Sequence, residues 1–287
     1  MILDGGLSNA LATRGHDLSG DLWTAALLRD DPGAIADAHR AYFEAGAEVA
    51  TTASYQASVP GFVAAGMSSA EAESMVRSTV TLARAVRDEL AGDGRRRLVA
   101  ASVGPYGAVL ADGSEYVGRY GLSPARLRDF HLPRVELLAS AEPDLLAVET
   151  IPDAEEAEVL VGILEEVGLP GWLSFSVSGA RTRAGQPLAE AFAVAAASTT
   201  LVAVGVNCCA PDDVLLALEV ARDVTGLPGV AYPNSGQGWD SGTHTWSGTA
   251  SYDVALAPSW VAAGAAYVGG CCEVGPADIS ALAGVLS

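Results

Sequence analysis

Leu145-Leu146-Ala147-Val148-Glu149-Thr150, followed by Ala154–Val167 and then by Trp172–Val177, is the stretch whose reading decides the fold. Its first part runs almost continuously apolar, as a parallel strand buried on both faces does. Ala154–Val167 carries a helical pattern, and Trp172–Val177 is apolar and β-rich again. One strand–helix–strand unit is therefore spelled out within about thirty residues. Outward in both directions the same unit recurs. Further strands are expected at Ile2–Asp4, Glu48–Ala53, Leu98–Val103, Leu201–Val206, Val230–Pro233 and Ala266–Gly270. Helix signals fill the gaps. Asp31-Pro32 places a cap before a first-turn proline in a helix that Gly46 can close. Ser68-Ser69-Ala70-Glu71 reads as a capping box, and Ser123-Pro124 repeats the cap-then-proline device. Later helices are expected over Leu188–Ser198, Asp212–Val224, Tyr252–Ala263 and Pro276–Leu286.

Eight strands alternating with helices, with no linker or break in composition, predict an α/β fold: one (β/α)₈ TIM barrel over residues 1–287. An open doubly wound sheet is the alternative. The length of 287 residues suits a barrel, which needs about 250. Barrel sites gather where strands end and the following loops begin. The polar residues at those ends are Asp4, Thr52, Ser54, Glu149, Asn207, Cys208, Asn234, Cys271 and Cys272. They are far apart in sequence and fall on one rim.

Composition narrows the chemistry. Net charge is −19, which opposes nucleic-acid binding, because phosphate contacts need a basic footprint. All sixteen basic residues are arginine, so a Schiff-base lysine, a lysine general base and a Walker-A lysine are excluded. Arg95-Arg96-Arg97, the one basic cluster, reads as a solvated loop before a strand. No apolar run reaches the length of a membrane span, and Met1–Gly6 lacks the features of a signal peptide, so a cytoplasmic protein is expected. No GxGxxG, P-loop or HExxH pattern occurs, and His16, His39, His131 and His244 are read as incidental.

The four cysteines form two adjacent pairs, Cys208-Cys209 and Cys271-Cys272, unlike a secreted disulfide framework. Three thiolates with a fourth position open is the pattern of a catalytic zinc site. Spacing alone also admits buried inert cysteines or a redox pair. Neighbours on a strand point to opposite faces, so Cys271 and Cys272 can share an ion only if the chain bends, which Gly269-Gly270 permits.

Gly205-Val206-Asn207-Cys208 and Gly269-Gly270-Cys271-Cys272 resemble the zinc-binding motifs of the homocysteine S-methyltransferase family. Asp4-Gly5-Gly6, Thr52–Ser58, Ser102–Gly107, Glu149–Pro152, Pro187–Glu190 and Tyr232–Gly236 also resemble that family, and the likeness extends across nearly the whole chain. The resemblance implies a (β/α)₈ barrel with Cys208, Cys271 and Cys272 as zinc ligands and homocysteine sulfur completing the tetrahedron. It implies Glu149 as partner of the substrate ammonium group, with Asp4, Gly5 and Gly6 on its amino-acid part. Asn234, Thr52 and Ser54 are further candidates for substrate contact. Cys209 is an additional cysteine, read as a small buried residue. The activity implied is methyl transfer from S-methylmethionine or S-adenosylmethionine to homocysteine, forming methionine. Methylation of selenocysteine or another small thiol is the related alternative, and a non-catalytic metal- or redox-binding protein the alternative of another class. Tyr55, Tyr106, Trp239 and Trp246 are candidates for holding the cationic donor. Glu273, Gln237 and Ser178–Arg181 depart from the family's usual pattern and bear on the donor.

Overall fold

The computed structural model describes residues 1–16, 24–110, 112–240 and 245–286. A curled parallel sheet of seven strands forms its centre: β1 (Val49–Thr51), β2 (Leu98–Val103), β3 (Leu145–Ile151), β4 (Gly171–Phe175), β5 (Leu201–Asn207), β6 (Gly229–Tyr232) and β7 (Ala265–Val268). The strands lie side by side in chain order, every pair parallel. That order excludes the doubly wound alternative, whose sheet reverses direction at a switch point. The expected strand Ile2–Asp4 is reduced to single-residue parallel bridges, Ile2 to Val268 and Leu3 to Val49. One dipeptide thus touches both edge strands.

Two apolar layers hold the sheet. On one face, helices pack through residues such as Ile35, Val80, Leu138, Leu160 and Leu218, all essentially inaccessible to solvent. The other face carries a small cluster drawn from all round the sheet: Leu3, Val49, Ala100, Ala147, Trp172, Ala203, Val230 and Tyr232. Alanine at three of these positions leaves room for the Trp172 ring. Its indole N–H donates to the Tyr232 hydroxyl at 2.9 Å, so the buried indole is also satisfied as a donor.

The helix starts follow their capping signals. Asp31 accepts from the Ala34 amide ahead of Pro32–Ala45, which Gly46 closes at φ +116°. The Ser68–Glu71 capping box opens Ser69–Glu89, and Ser123 caps Pro124–Ser140. Several ends differ from expectation. The helix expected over Leu188–Ser198 stops at Ala193, and Tyr252–Ala263 resolves into a 3₁₀ turn, Val254–Leu256, and a short helix, Ala257–Ala262. β4 ends at Phe175 because Val177 pairs with Thr182 in a small hairpin. Arg97 is not solvated: it is buried, paired with Asp93 at 2.5 and 2.8 Å, and lies over the Phe43 ring. Among the described residues no helix is long and apolar enough to cross a membrane.

Candidate active site

The C-terminal ends of β5, β6 and β7 build a cluster of three thiols. Cys208 follows β5 directly, and its amide donates to the Tyr232 carbonyl at 3.2 Å. The Cys271 amide donates to Pro233 at 2.8 Å, and Ser235 donates to the Cys272 carbonyl at 2.9 Å. The segment after β6 therefore spaces the two cysteine loops. Cys208 sits at φ +50°, a left-handed conformation costing a non-glycine residue about 1–2 kcal/mol. That turn swings its thiol off the strand and toward the other two. Gly269 and Gly270 contribute room rather than a left-handed bend. A Cβ on Gly269 would lie 2.6 Å from that of Leu3, and one on Gly270 would lie 2.1 Å from the Val274 side chain.

The Sγ atoms of Cys208, Cys271 and Cys272 all lie within 4.8 Å of one another, with Cys208–Cys272 and Cys271–Cys272 at 4.0 Å. Cys209 Sγ is not part of the group; its side chain is buried, and burial pushes the thiol well up. Among the three, hydrogen bonds from Cys271 and Cys272 pull the Cys208 thiol well below its ordinary range. Their contacts with Cys208 hold the other two well above theirs. The trio by itself supports one thiolate; three thiolates side by side need a cation between them. The cluster is placed to hold a metal ion.

The same sulfurs border a cavity of about 140 Å³ whose walls include Asp4, Gly6, Thr52, Tyr55 and Glu149. Glu149 is buried, accepts from the Ser102 hydroxyl, and takes a second hydrogen bond from Tyr232 at 3.0 Å. Burial outweighs both bonds and pushes its carboxyl up to about 7. Asp4, also buried, accepts from the Thr51 amide at 2.7 Å and the Thr51 hydroxyl at 2.9 Å. Burial nevertheless pushes it up to about 8. Two carboxyls held out of water beside a small cavity are poised for a cationic partner.

A sequence model described as homocysteine S-methyltransferase matches residues 1–286. Homocysteine S-methyltransferase 1 of Zea mays is 43% identical, with 99% of this chain and 94% of that protein aligned. A selenocysteine Se-methyltransferase of Brassica oleracea var. italica is 41% identical over 98% of this chain and 87% of its own. The crystal structure of the homocysteine methyltransferase MmuM from Escherichia coli, in its metallated form, superposes with a TM-score of 0.90 at 40% identity. That match covers 99% of this chain and 96% of the other. The chain belongs to the homocysteine S-methyltransferase family.

It is thus a methyltransferase, as its motifs imply. The fold brings most of the residues those motifs single out in this family member to one cavity: Asp4, Gly5, Gly6, Thr52, Glu149 and the three cysteines all border it. Ser54 and Asn234 do not. Ser54 is buried behind the wall, bonded to Thr52 and to the Ser102 carbonyl at 2.7 Å each. Asn234 accepts from the Cys272 amide at 3.2 Å and borders a larger groove of about 940 Å³ on the other side of Cys208. Gly5 and Gly6 serve close packing: a Cβ would come within 2.2 Å of the Val274 carbonyl at Gly5 and 2.7 Å of that of Cys271 at Gly6.

Of the aromatic candidates, Tyr55 borders the small cavity and Tyr106 the groove. Trp239 and Trp246 are paired residues of a hairpin, Gly238–Asp240 with Thr245–Ser247. His244 lies outside the described residues. His39 and His131 are buried, and His131 lies 2.9 Å from Glu156. Glu273 and Asn9 grip each other: the Glu273 amide donates to Asn9 at 2.8 Å, and Asn9 donates back to the Glu273 carboxylate. Gln237 accepts from Ser235 at 3.1 Å at the groove.

Sequence reasoning quoted Ser102 and Tyr232 within motifs but gave them no role, and it missed Tyr116. The signal for Ser102 was a lone hydroxyl within an apolar strand. Tyr116 gave none, since it comes from a single 3₁₀ turn between longer elements.

Proposed function

We propose that the chain transfers a methyl group from a sulfonium donor, S-methylmethionine or S-adenosylmethionine, to the thiol of L-homocysteine, forming methionine. The observation that carries this reading is the meeting of three thiols and two buried carboxyls around one cavity of amino-acid size. We read the metal as zinc. Three soft sulfur donors suit it, and tetrahedral zinc with bonds of about 2.3 Å separates its sulfurs by about 3.8 Å. The sulfur pairs at 4.0 Å need only a small contraction. Zinc bound by Cys208, Cys271 and Cys272 would let the substrate thiol lose its proton near neutral pH, and so make it nucleophilic.

The chain's own residues bind and aim. Glu149, held by Ser102 and Tyr232, receives the substrate ammonium group, and Asp4 adds a second carboxyl to the same cavity. Thr52 borders the same cavity. Gly5 and Gly6 let the first loop lie directly on the cysteine loop, so the amino-acid part and the sulfur are held by touching segments. The substrate sulfur then forms a bond to the donor methyl carbon as the donor's carbon–sulfur bond breaks. The released electron pair stays on the donor sulfur, which becomes a neutral thioether. Alignment is the protein's main contribution.

The frame for this site is read as a closed (β/α)₈ barrel forming one domain. Sequential parallel order, bridging of both edge strands by Ile2-Leu3, and an inner cluster fed from all round the sheet support it. Four free cysteines suit a reducing cytoplasm. The decisive assay is methionine formation from homocysteine against S-methylmethionine, S-adenosylmethionine and betaine, with selenocysteine as a competing acceptor. Efficient turnover with betaine and none with either sulfonium would overturn the donor assignment.

A further inference from the structure

The small cavity and the large groove lie on either side of Cys208, and among the described residues only Cys208 and Tyr116 border both. The Tyr116 hydroxyl is 3.7 Å from Cys208 Sγ. We propose that Tyr116 receives the donor's cationic sulfur at this boundary and aims its methyl group into the cavity, an inference that rests on the methyl-transfer reading above.

The argument is one of space and charge. The acceptor sulfur belongs with the three thiols, in a cavity of about 140 Å³ that an amino acid fills. A sulfonium amino acid does not fit beside it and must enter through the groove of about 940 Å³. In-line transfer sets donor sulfur, methyl carbon and acceptor sulfur on one axis, so the methyl crosses beside Cys208 and Tyr116. The Cys208 sulfur is already committed to the thiol cluster. A sulfonium cation is attracted to an aromatic face, and its polarised methyl hydrogens make weak contacts with a phenol oxygen. When the methyl has moved to the acceptor, the electron pair of the broken bond neutralises the donor sulfur, and this attraction disappears with the charge.

Other rings nearby are engaged. Tyr106 packs edge-on against Tyr120 at 5.3 Å and Phe130 at 5.0 Å, and Tyr55 borders only the small cavity. Tyr116 is also held firmly. It ends the 3₁₀ turn Ser114–Tyr116, which lies so close to Gly107 that a Cβ there would come within 2.5 Å of the Glu115 amide. Glu115 itself is buried in this turn with Oε2 unpartnered. Arg119 and Arg183 border the same groove and offer partners for a donor carboxylate.

The test is steady-state methyl transfer by the metal-loaded enzyme, with S-methylmethionine and homocysteine varied separately, in wild type, Tyr116→Phe and Tyr116→Leu. Metal per chain and homocysteine affinity by calorimetry are measured in parallel. Tyr116→Leu should raise the donor KM about tenfold, with homocysteine affinity and metal content within twofold of wild type. Tyr116→Phe, which keeps the ring, should stay within about threefold on the donor. Equal effects on both substrates, loss of metal, or no effect would overturn the proposal. Should Tyr116→Leu fail to fold, progressively fluorinated phenylalanines at position 116 supply the same test. Donor KM should climb as the ring face loses its negative potential, and a flat series would contradict the assignment. Wild-type enzyme without activity on any sulfonium would instead sink the methyl-transfer reading itself.

Discussion

Asn207 grips Thr150 at two points: its side-chain oxygen accepts from the Thr150 amide at 2.7 Å, and its side-chain nitrogen donates to the Thr150 hydroxyl at 2.7 Å. Ser174 donates to the same oxygen at 2.8 Å, so one carboxamide ties together the ends of β3, β4 and β5. Thr150, at φ +59°, and Cys208, at φ +50°, are both left-handed. Each adjoins a group the site depends on, Glu149 in one case and the thiol itself in the other. Asn207→Ala removes three buried hydrogen bonds and leaves the Thr150 amide unsatisfied. A loss of about 2–4 kcal/mol in urea unfolding is expected, with weaker metal retention. An unchanged midpoint would show that the strand ends hold these turns unaided.

Glu149 carries a pH signature. Its folded carboxyl is raised to about 7 from an ordinary value of 4.5 by burial, opposed by Ser102, Tyr232 and Arg134 and reinforced by the Cys208 charge. The folded chain therefore keeps a proton that the unfolded chain releases between those values. Stability falls as pH rises from about 4.5 to 7; Asp4, raised to about 8, extends the fall. Substrate ammonium favours the ionised form, so homocysteine affinity should improve as pH rises through 7. Glu149→Gln should flatten the stability slope over this window and weaken homocysteine binding at pH 8 by about ten- to a hundredfold. Calorimetry at several pH values reads both, and a wild-type affinity independent of pH would remove Glu149 from the amino-acid contact.

Gly5→Ala tests the seating of the first loop. The added Cβ would meet the Val274 carbonyl at 2.2 Å, a backbone atom that moves only if the cysteine loop moves. Bound metal and methyl transfer should fall together, while far-UV circular dichroism stays native. Ala at the exposed, left-handed Gly66, where a Cβ meets nothing within 4 Å, should leave metal unaffected.

Arg134 supports the site from behind. It is buried and donates to the Ser54 and Tyr55 carbonyls at 2.6 Å each and to Gly104 at 3.0 Å. Arg134→Met keeps much of the volume but strands three carbonyls. A loss of about 3 kcal/mol or more is expected, read as a lower melting temperature.

The sheet was legible because its strands are short apolar runs of the kind only a sheet covered on both faces uses. Its rim residues followed from where those runs stop. The first strand read too long, since Ile2-Leu3 makes only bridges, and helix ends drifted where no glycine or cap marks them, as at Ala193. The cysteines were visible by type. Tyr232, Asn207 and Ser102 were not assigned roles, because a hydroxyl or amide near a strand end does not disclose which neighbouring strand it meets. Tyr116 reaches the site from a single 3₁₀ turn and Asn9 from the short helix Leu7–Ala12, elements too brief to leave a periodic pattern.

Metal content and methyl transfer measured side by side in Cys208→Ser, Cys271→Ser, Cys272→Ser and Cys209→Ala test the central claim most directly. The first three should each lose most of about one zinc per chain and nearly all methionine formation, with circular dichroism close to native. Cys209→Ala, altering the one thiol outside the cluster, should keep both. Full zinc and full turnover in any of the three serine variants would contradict a site built on those sulfurs.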